Sequence, residues 1–316
     1  MRRKRISILA KILLFLSFSF ILVGICFLLG EKNTFYDPVK DVYVIYYPEE
    51  NNTKVTLANE DRNFNDMHEK KIIHNDVNDF HDNLSQEQIN LQLKEEMESI
   101  SGITIYYGND IGNYLIGGMS TTPLIDSKEI YQSLLQLNSA INLYPKDFFK
   151  EYEEKGIHLI IYLVKNYSID NVTGVTDTSS NNVSISLAAD YPIIESFHHE
   201  AYHYIDYCIE KSGGLYTVWD NLNPHEFSYN GGLSYDKSLS YSSTVSKDSY
   251  FVNNYAQTSA SEDRASTFEY MMINNKPNCL DFGTPIWMKA RYISQQIDLF
   301  FDTVSPSVLE YWERYI

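Results

Sequence analysis

The chain has 316 residues, of which 44% are hydrophobic and 14% aromatic, enough apolar material for one large or two small domains. Its formal net charge of −17 repels polyanions, so we expect no nucleic acid among its partners. Three cysteines do not make a disulfide scaffold: Cys26 lies in an apolar run, while Cys208 and Cys279 could pair or stay buried as small apolar residues.

The first thirty residues have the pattern of a membrane anchor. The run from Ile12 to Gly30 carries no charge and nearly matches the thickness of a bilayer's hydrocarbon core. Five basic residues precede it, and the residues after it are acidic, which predicts a cytoplasmic N-terminus and an extracellular remainder. The basic residues are Arg2, Arg3, Lys4, Arg5 and Lys11.

Two alternatives give a secreted or lipid-anchored protein instead. A cleaved signal peptide usually has an apolar core of about 7–15 residues followed by a small-x-small cleavage site, and we find no such site here. The stretch from Leu22 to Cys26 partly matches a bacterial lipoprotein signal, but Ile25 stands where a small residue is needed. We therefore predict an uncleaved signal anchor in residues 1–30, with the chain held in the cell membrane by a single span.

Residues 31–101 are rich in Asn, Asp, Glu and Lys, which favours a polar juxtamembrane linker. Within it, Val42 to Tyr47 predicts a short strand, and Ser85 to Ile100 predicts a helix capped by Ser85. A strand from Ile103 to Tyr107 then begins or adjoins the main domain, which we place at residues 102–316.

Three further elements precede the functional motif. Ser127 to Leu143 has apolar residues at helical spacing, and Ile157 to Val164 is a continuous apolar run of strand length. Asn182 to Leu187 alternates polar and apolar residues, as a half-exposed strand does. We expect this last strand to form the sheet edge along which an extended peptide pairs.

The motif that organises the chain is His199-Glu200-x-x-His203. Residues four apart lie on the same face of a helix, so the two imidazoles can bind one metal ion at about 2.0–2.1 Å. Glu200 lies beside them, where a carboxylate can take a proton from water. His198 points about 100° away round the helix and is predicted to be a bystander.

The residues around the motif divide into two stripes. One stripe, predicted to pack inward, is apolar and consists of Ile194, Phe197, Ala201, Ile205 and Cys208. The other carries the two histidines and Asp206, and it is predicted to face a cleft. After the helix, the long loop from Tyr216 to Asn254 is interpreted as one wall of that cleft.

A catalytic zinc ion needs a third protein ligand, and a second helix offers two candidates. The segment from Ser259 to Met272 predicts a helix capped by Ser259 or Ser261, with Ala265, Phe268 and Met272 packed inward. Glu262 lies in its first turn, and Glu269 lies two turns later on the same face.

These two segments resemble the gluzincin metallopeptidases, in particular the catalytic domain of anthrax lethal factor and zinc-binding peptidases of bacterial surfaces. In that group a helix with the pattern E-x-x-A-x-x-F follows the histidine motif, and a tyrosine lies seven residues before its glutamate. Glu262, Ala265, Phe268 and Tyr255 match that spacing. The resemblance implies that Glu262 is the third zinc ligand and that Tyr255 stabilises the oxyanion.

The resemblance has one departure. Relatives often carry an acidic residue four positions after the ligand glutamate, where this chain has Ser266. Asp206 or Asp263 is therefore expected to orient a ligand histidine instead.

Taken together, these patterns predict an α+β, zincin-like fold with a partly antiparallel sheet, an active-site helix and a helical C-terminal lobe. The expected function is that of a membrane-anchored extracellular endopeptidase, which uses one Zn²⁺ per chain to hydrolyse peptide or protein substrates. The alternative is a catalytically inactive surface module for binding or adhesion. Glu200 argues against that alternative, because a purely structural metal site needs no general base.

Overall fold

The computed structural model describes residues 33–37, 42–46, 84–112, 114–178, 180–230, 245–273, 278–305 and 307–316. The chain divides into two units, Met1–Ala58 and Asn59–Ile316. In the first unit, β1 (Asn33–Asp37) and β2 (Val42–Tyr46) form an antiparallel hairpin. The strand predicted from Val42 is thus confirmed, and all other described elements belong to the second unit.

The predicted membrane anchor, Ile12 to Gly30, lies outside the described residues. Within the described part of the chain, no helix combines the length and the apolar character needed to cross a bilayer.

The first described helix, α1 (Gln86–Ser101), begins with the cap that its sequence predicts. The Ser85 hydroxyl accepts a hydrogen bond from the backbone of Gln88, whose side chain in turn accepts one from the backbone of Ser85. The helix ends at Gly102, whose φ of 77° is readily adopted only by glycine.

Contacts of α1 join it to the elements that follow. The Asn90 amide donates to the carbonyl of Ser127, and the Glu98 carboxylate accepts from the backbone of Ile105. Met97, on the same helix, is buried. The folded unit therefore includes this helix, although its sequence lies within the polar residues 31–101.

A six-stranded mixed sheet forms the centre of the second unit, in the order β4-β5-β6-β8-β7, with β3 also paired to β6. Strands β3 and β8 run parallel to β6, whereas β5 is antiparallel to β6 and β7 is antiparallel to β8. The α+β class and the partly antiparallel sheet are therefore confirmed. The strands are β3 (Thr104–Tyr107), β4 (Leu115–Ile116), β5 (Met119–Pro123), β6 (His158–Tyr167), β7 (Gly174–Asp177) and β8 (Asn182–Ala188).

The prediction that the strand at Asn182 to Leu187 is the sheet edge was wrong. This strand is β8, and it lies between β6 and β7. Its alternation of serines with apolar residues indicated exposure of one face, yet Ser186 is buried. The edge is β7, a four-residue strand whose Gly and Asp termini disfavour a strand prediction.

The described residues of the unit form four more helices: α2 (Ser127–Ile141), α3 (Ile193–Lys211), α4 (Ala260–Ile273) and α5 (Pro285–Phe300). The predicted helical C-terminal lobe corresponds to α4 and α5. Helix α3 contacts the sheet through β7 and β8 and the other three helices on its remaining sides. An aromatic cluster joins these layers and consists of Tyr144, Phe148, Phe149, Phe197, Phe268 and Trp312.

Cys208 and Cys279 are both buried and unpaired. The sequence left open whether these cysteines pair or stay buried as small apolar residues, and the structure shows the second arrangement. Burial raises the pKa of both thiols, which keeps them protonated and unreactive at neutral pH.

Candidate metal centre

The site is built on α3, the helix at the centre of the unit. Its first backbone N–H, at Ile193, donates to the Gln136 side chain of α2 at 3.1 Å, which satisfies one of the helix's unpaired donors. Gly213, with a φ of 86°, follows its end. The predicted apolar stripe is buried apart from Ile194, and the residues between the stripes are also largely buried, so α3 is a rigid support.

Three side chains on α3 and α4 converge on one point. The Oε2 atom of Glu262 lies 3.0 Å from Nε2 of His199 and 3.5 Å from Nε2 of His203. One ligand atom from each residue lies within 4.8 Å of the other two. Donors bound tetrahedrally to one zinc at about 2.0–2.1 Å are about 3.3 Å apart, so these residues fit a zinc ion with a fourth position open.

The start of α4 explains why Glu262 reaches the histidines. The Ser259 hydroxyl accepts a hydrogen bond from the backbone of Glu262 at 3.1 Å, which places Glu262 in the first turn. Of the two predicted caps, Ser259 therefore caps the helix. Ala265, Phe268 and Met272 are buried as predicted.

The charges at this point stabilise one another. Burial alone would lower the pKa of His199, but its hydrogen bonds to Glu262 and Glu269 raise it well above the ordinary value. Burial alone would raise the pKa of Glu262, but the bonds to His199 and His203 lower it. The glutamate is therefore ionised, as a metal ligand must be.

Glu269, the competing candidate, lies on the other side of the histidine ring. Its Oε2 is 3.2 Å from Nδ1 of His199, whereas Glu262 lies at Nε2. Nδ1 of His203 is likewise 3.1 Å from the Ser261 hydroxyl. Such contacts fix the tautomer and ring orientation of a ligand histidine. Sequence spacing places Glu262 and Glu269 on the same face of the helix. It does not show which of them lies at Nε2 of His199 and which at Nδ1.

Asp206 and Asp263 do not take the orienting role predicted for them, since neither bonds a ligand histidine. Both oxygens of Asp206 accept from the Arg264 guanidinium, at distances from 2.6 to 3.1 Å. This buried ion pair joins α3 to α4, and the Tyr216 ring lies 3.9 Å from the guanidinium carbon. The Asp206 carboxylate, which was predicted to orient a ligand histidine, is thus bound by the Arg264 guanidinium of the neighbouring helix.

Asp263 points away from the histidines into the core. Its Oδ2 accepts from Lys289 at 2.7 Å, from the Tyr229 hydroxyl at 2.7 Å and from the Trp219 indole at 3.2 Å. Asp263 and Lys289 are both fully buried. Desolvation lowers the pKa of Lys289 to about 8, and the ion pair with Asp263 opposes that shift.

This network bears on the prediction that the loop from Tyr216 to Asn254 forms a wall of the cleft, of which residues 231–244 lie outside the described residues. Trp219 and Tyr229 come from its first part, and the carbonyl of Tyr250 accepts from Lys289 at 2.7 Å. Within residues 216–230 and 245–254, no side chain lines the cleft. The described parts of the loop pack against α4 and α5 instead, because their aromatic side chains have buried polar partners there.

Glu200 lies between the three candidate metal ligands and the edge strand. It is only 7% exposed, and its Oε2 accepts a hydrogen bond from the Thr176 hydroxyl at 2.7 Å. Burial raises its pKa, while His199 and His203 oppose that shift. A carboxylate that is more basic than usual is suited to accept a proton near neutral pH.

Tyr255 lies just before α4 and close to His199. It begins a short 3₁₀ turn, Tyr255–Gln257, just before α4. Its ring centroid is 5.9 Å from that of His199, and it lines the same cleft as the three ligands.

His198 belongs to the core rather than to the centre. It is fully buried, and its Nδ1 lies 3.0 Å from the Tyr144 hydroxyl. Burial, assisted by Arg314, lowers the pKa of His198 to about 3, so the ring is neutral.

The centre opens into a cleft of about 360 Å³. Its walls come from β7, from the exposed side of α3 and from the start of α4. They are formed by Gly174, Val175, Thr176, Thr178, His199, Glu200, His203, Asp206, Tyr207, Glu210, Tyr255, Ser261 and Glu262. This volume is within the range of pockets that bind small ligands.

Comparisons with known proteins give one similar structure. No protein-family model matches the chain, and no curated protein matches it. The crystal structure of a candidate zinc-binding metallo-peptidase from Bacteroides caccae matches with a TM-score of 0.44 and 13% sequence identity. The match covers 74% of this chain and 92% of that protein. The chemistry of the centre therefore rests on the residues of this chain.

Proposed function

We propose that this protein is a zinc-dependent endopeptidase with a zincin-like fold. The observation that carries the proposal is the convergence of Glu262 on His199 and His203, with Glu200 beside them at an open cleft. Two imidazoles and one carboxylate are a ligand set of catalytic rather than structural zinc sites. The match of Glu262 and Tyr255 to the gluzincin spacing supports the same reading.

Bound zinc would polarise a carbonyl and lower the pKa of a water towards neutrality. Glu200 accepts the proton of the attacking water and passes it to the leaving amine. Glu269 and Ser261 hold the rings of His199 and His203 in the orientation that keeps both Nε2 atoms directed inward. In this scheme Glu200 carries both proton transfers, while Glu269 and Ser261 orient the two histidines.

A substrate peptide would bind in extended form along β7. Among the described strands, β7 pairs with β8 alone and lies at the end of the sheet, beside Glu200. An extended peptide is therefore expected to pair with β7 and not with β8.

The experiment that tests the function compares the enzyme with an inactive binding module. The full-length chain is purified in detergent, its zinc content is measured, and cleavage of casein and of a mixed peptide library is followed with and without chelator. Chelator-sensitive cleavage supports the endopeptidase. Zinc binding without cleavage of either substrate would favour the binding or adhesion module.

The Tyr255→Phe variant is expected to lose about 10²–10³ in kcat with little change in KM. The reason is that a phenol hydroxyl directed at the developing oxyanion stabilises the transition state more than the bound substrate. Steady-state kinetics on a cleaved library peptide measures both constants. Tyr250→Phe is the matched control, and activity of the Tyr255 variant within about twofold of wild type would contradict the assignment.

We further propose that Ile12 to Gly30 anchors the protein in the cell membrane, with residues after it outside the cell. The intact chain is then expected to stay in the membrane fraction in alkaline carbonate and to be cut by protease added to whole cells. A soluble form that begins near Glu31 would show cleavage of the segment instead. A membrane-bound chain that begins at a lipid-modified Cys26 would indicate a lipid anchor.

A further inference from the structure

The side chain of Thr176, on the edge strand β7, makes two contacts with Glu200. The Thr176 hydroxyl lies 2.7 Å from the Glu200 carboxylate and 3.1 Å from its backbone carbonyl. A hydroxyl has one proton, and the shorter contact directs it to the charged acceptor. The side chain of Thr176 therefore fixes one oxygen of the carboxylate.

Gly174 makes this approach of strand and helix possible. A Cβ atom at this position would lie 2.7 Å from Cγ and 2.8 Å from Oε1 of Glu200, closer than real Cβ contacts occur. Its φ is not in the left-handed region, so glycine is needed here for space and not for backbone conformation. Any side chain at position 174 would push the Glu200 carboxylate out of its place.

The strand itself is held from its other face. Side chains alternate along a strand, so Gly174 and Thr176 face α3 while Val175 faces away. Val175 packs against an apolar cluster that includes Ile116 and Met119 of the β4-β5 hairpin. Main-chain pairing of Thr176 with Ile185 of β8 fixes the register. The hydroxyl of Thr176 is thus presented to Glu200 by a supported strand.

From these contacts we propose that Thr176 is a positioning residue for Glu200, and that Gly174 provides the space it needs. The inference rests on the proposed peptidase function. Because β7 is also the edge at which a peptide would pair, one strand sets both the path of the substrate and the position of the base.

The kinetic part of the test uses three variants of the full-length chain. Thr176→Val removes the hydroxyl at nearly constant volume, and Thr176→Ser retains it. The matched control is Thr121→Val on β5, where another half-buried strand threonine donates to a carbonyl, that of Tyr114, outside the cleft. Kinetics are measured on the library peptide that wild type cleaves best, together with zinc content and thermal unfolding.

Thr176→Val is expected to lower kcat about 10- to 100-fold, the effect of one hydrogen bond to a charged group, with KM and zinc content unchanged. Thr176→Ser is expected to restore kcat to within about threefold of wild type, and Thr121→Val to leave it unchanged. If the role of Thr176 were purely structural, both valine variants would have a lower melting temperature. The change at Thr176 would then not lower kcat selectively while leaving KM unchanged.

Crystal structures of the metal-free wild type and of the metal-free Thr176→Val and Gly174→Ala variants give a readout that does not need activity. Both variants are expected to show the Glu200 carboxylate turned away from its wild-type position. An unmoved carboxylate in both, or a kcat of Thr176→Val equal to wild type, would overturn the inference. If wild type cleaves no peptide, the proposed function fails, and these structures still decide the role of Thr176.

Discussion

Glu200→Gln is expected to reduce peptide hydrolysis by about 10⁴, the upper end of what a general base contributes, while the bound zinc remains. The amide has nearly the same shape as the carboxylate but cannot accept the proton of water. The three residues that converge as metal donors are His199, His203 and Glu262, so the change leaves them in place. The expected pattern is therefore loss of turnover without loss of metal.

Zinc content by atomic absorption and cleavage of the library peptide measure the two quantities separately. Glu195→Gln is the matched control, because Glu195 is an exposed glutamate in the first turn of the same helix, α3. It is expected to behave as wild type in both assays. Undiminished turnover by Glu200→Gln would remove the general-base role from this residue.

Glu262→Ala is expected to empty the metal site. It removes the only described carboxylate within 3.5 Å of Nε2 of both histidines and leaves two ligands, fewer than zinc sites normally have. Glu269→Ala leaves all three ligands and removes only the partner of Nδ1 of His199. Loss of such a partner typically weakens metal affinity about 10- to 100-fold.

Competition with a zinc-binding dye measures the affinity of each variant. Glu269→Gln serves as the control for charge, since its amide oxygen can still accept from the imidazole, and it is expected to lose less affinity than Glu269→Ala. The opposite order, with Glu269→Ala empty and Glu262→Ala loaded, would exchange the roles of the two glutamates.

Local signals in the sequence predicted much of the fold. The capping pair Ser85 and Gln88 marks the start of α1, and the spacing of apolar residues marks α2 and α3. The same periodicity places His199 and His203 on one face of a helix. These features depend on residues within one or two turns of each other, which a sequence displays directly.

Contacts between distant segments could not be predicted in the same way. Nothing local to Asp206 indicates that Arg264 will bind both of its oxygens, and nothing local to Thr176 indicates that it will meet Glu200. The short strand β7 has too few residues to show a period, so the sequence does not reveal it as the sheet edge. The sequence narrows the third ligand to Glu262 or Glu269. It does not show that Glu262 lies at Nε2 of His199 and Glu269 at Nδ1.

The buried pair of Asp263 and Lys289 couples the start of α4 to α5. Asp263 directly follows Glu262 in the chain, and its partners come from the segment before α4 and from α5 after it. A folded chain without the Lys289 side chain would leave Asp263 as an uncompensated buried charge, which costs about 3–5 kcal/mol. The position of Glu262 therefore depends on a lysine that lies on another helix, outside the cleft.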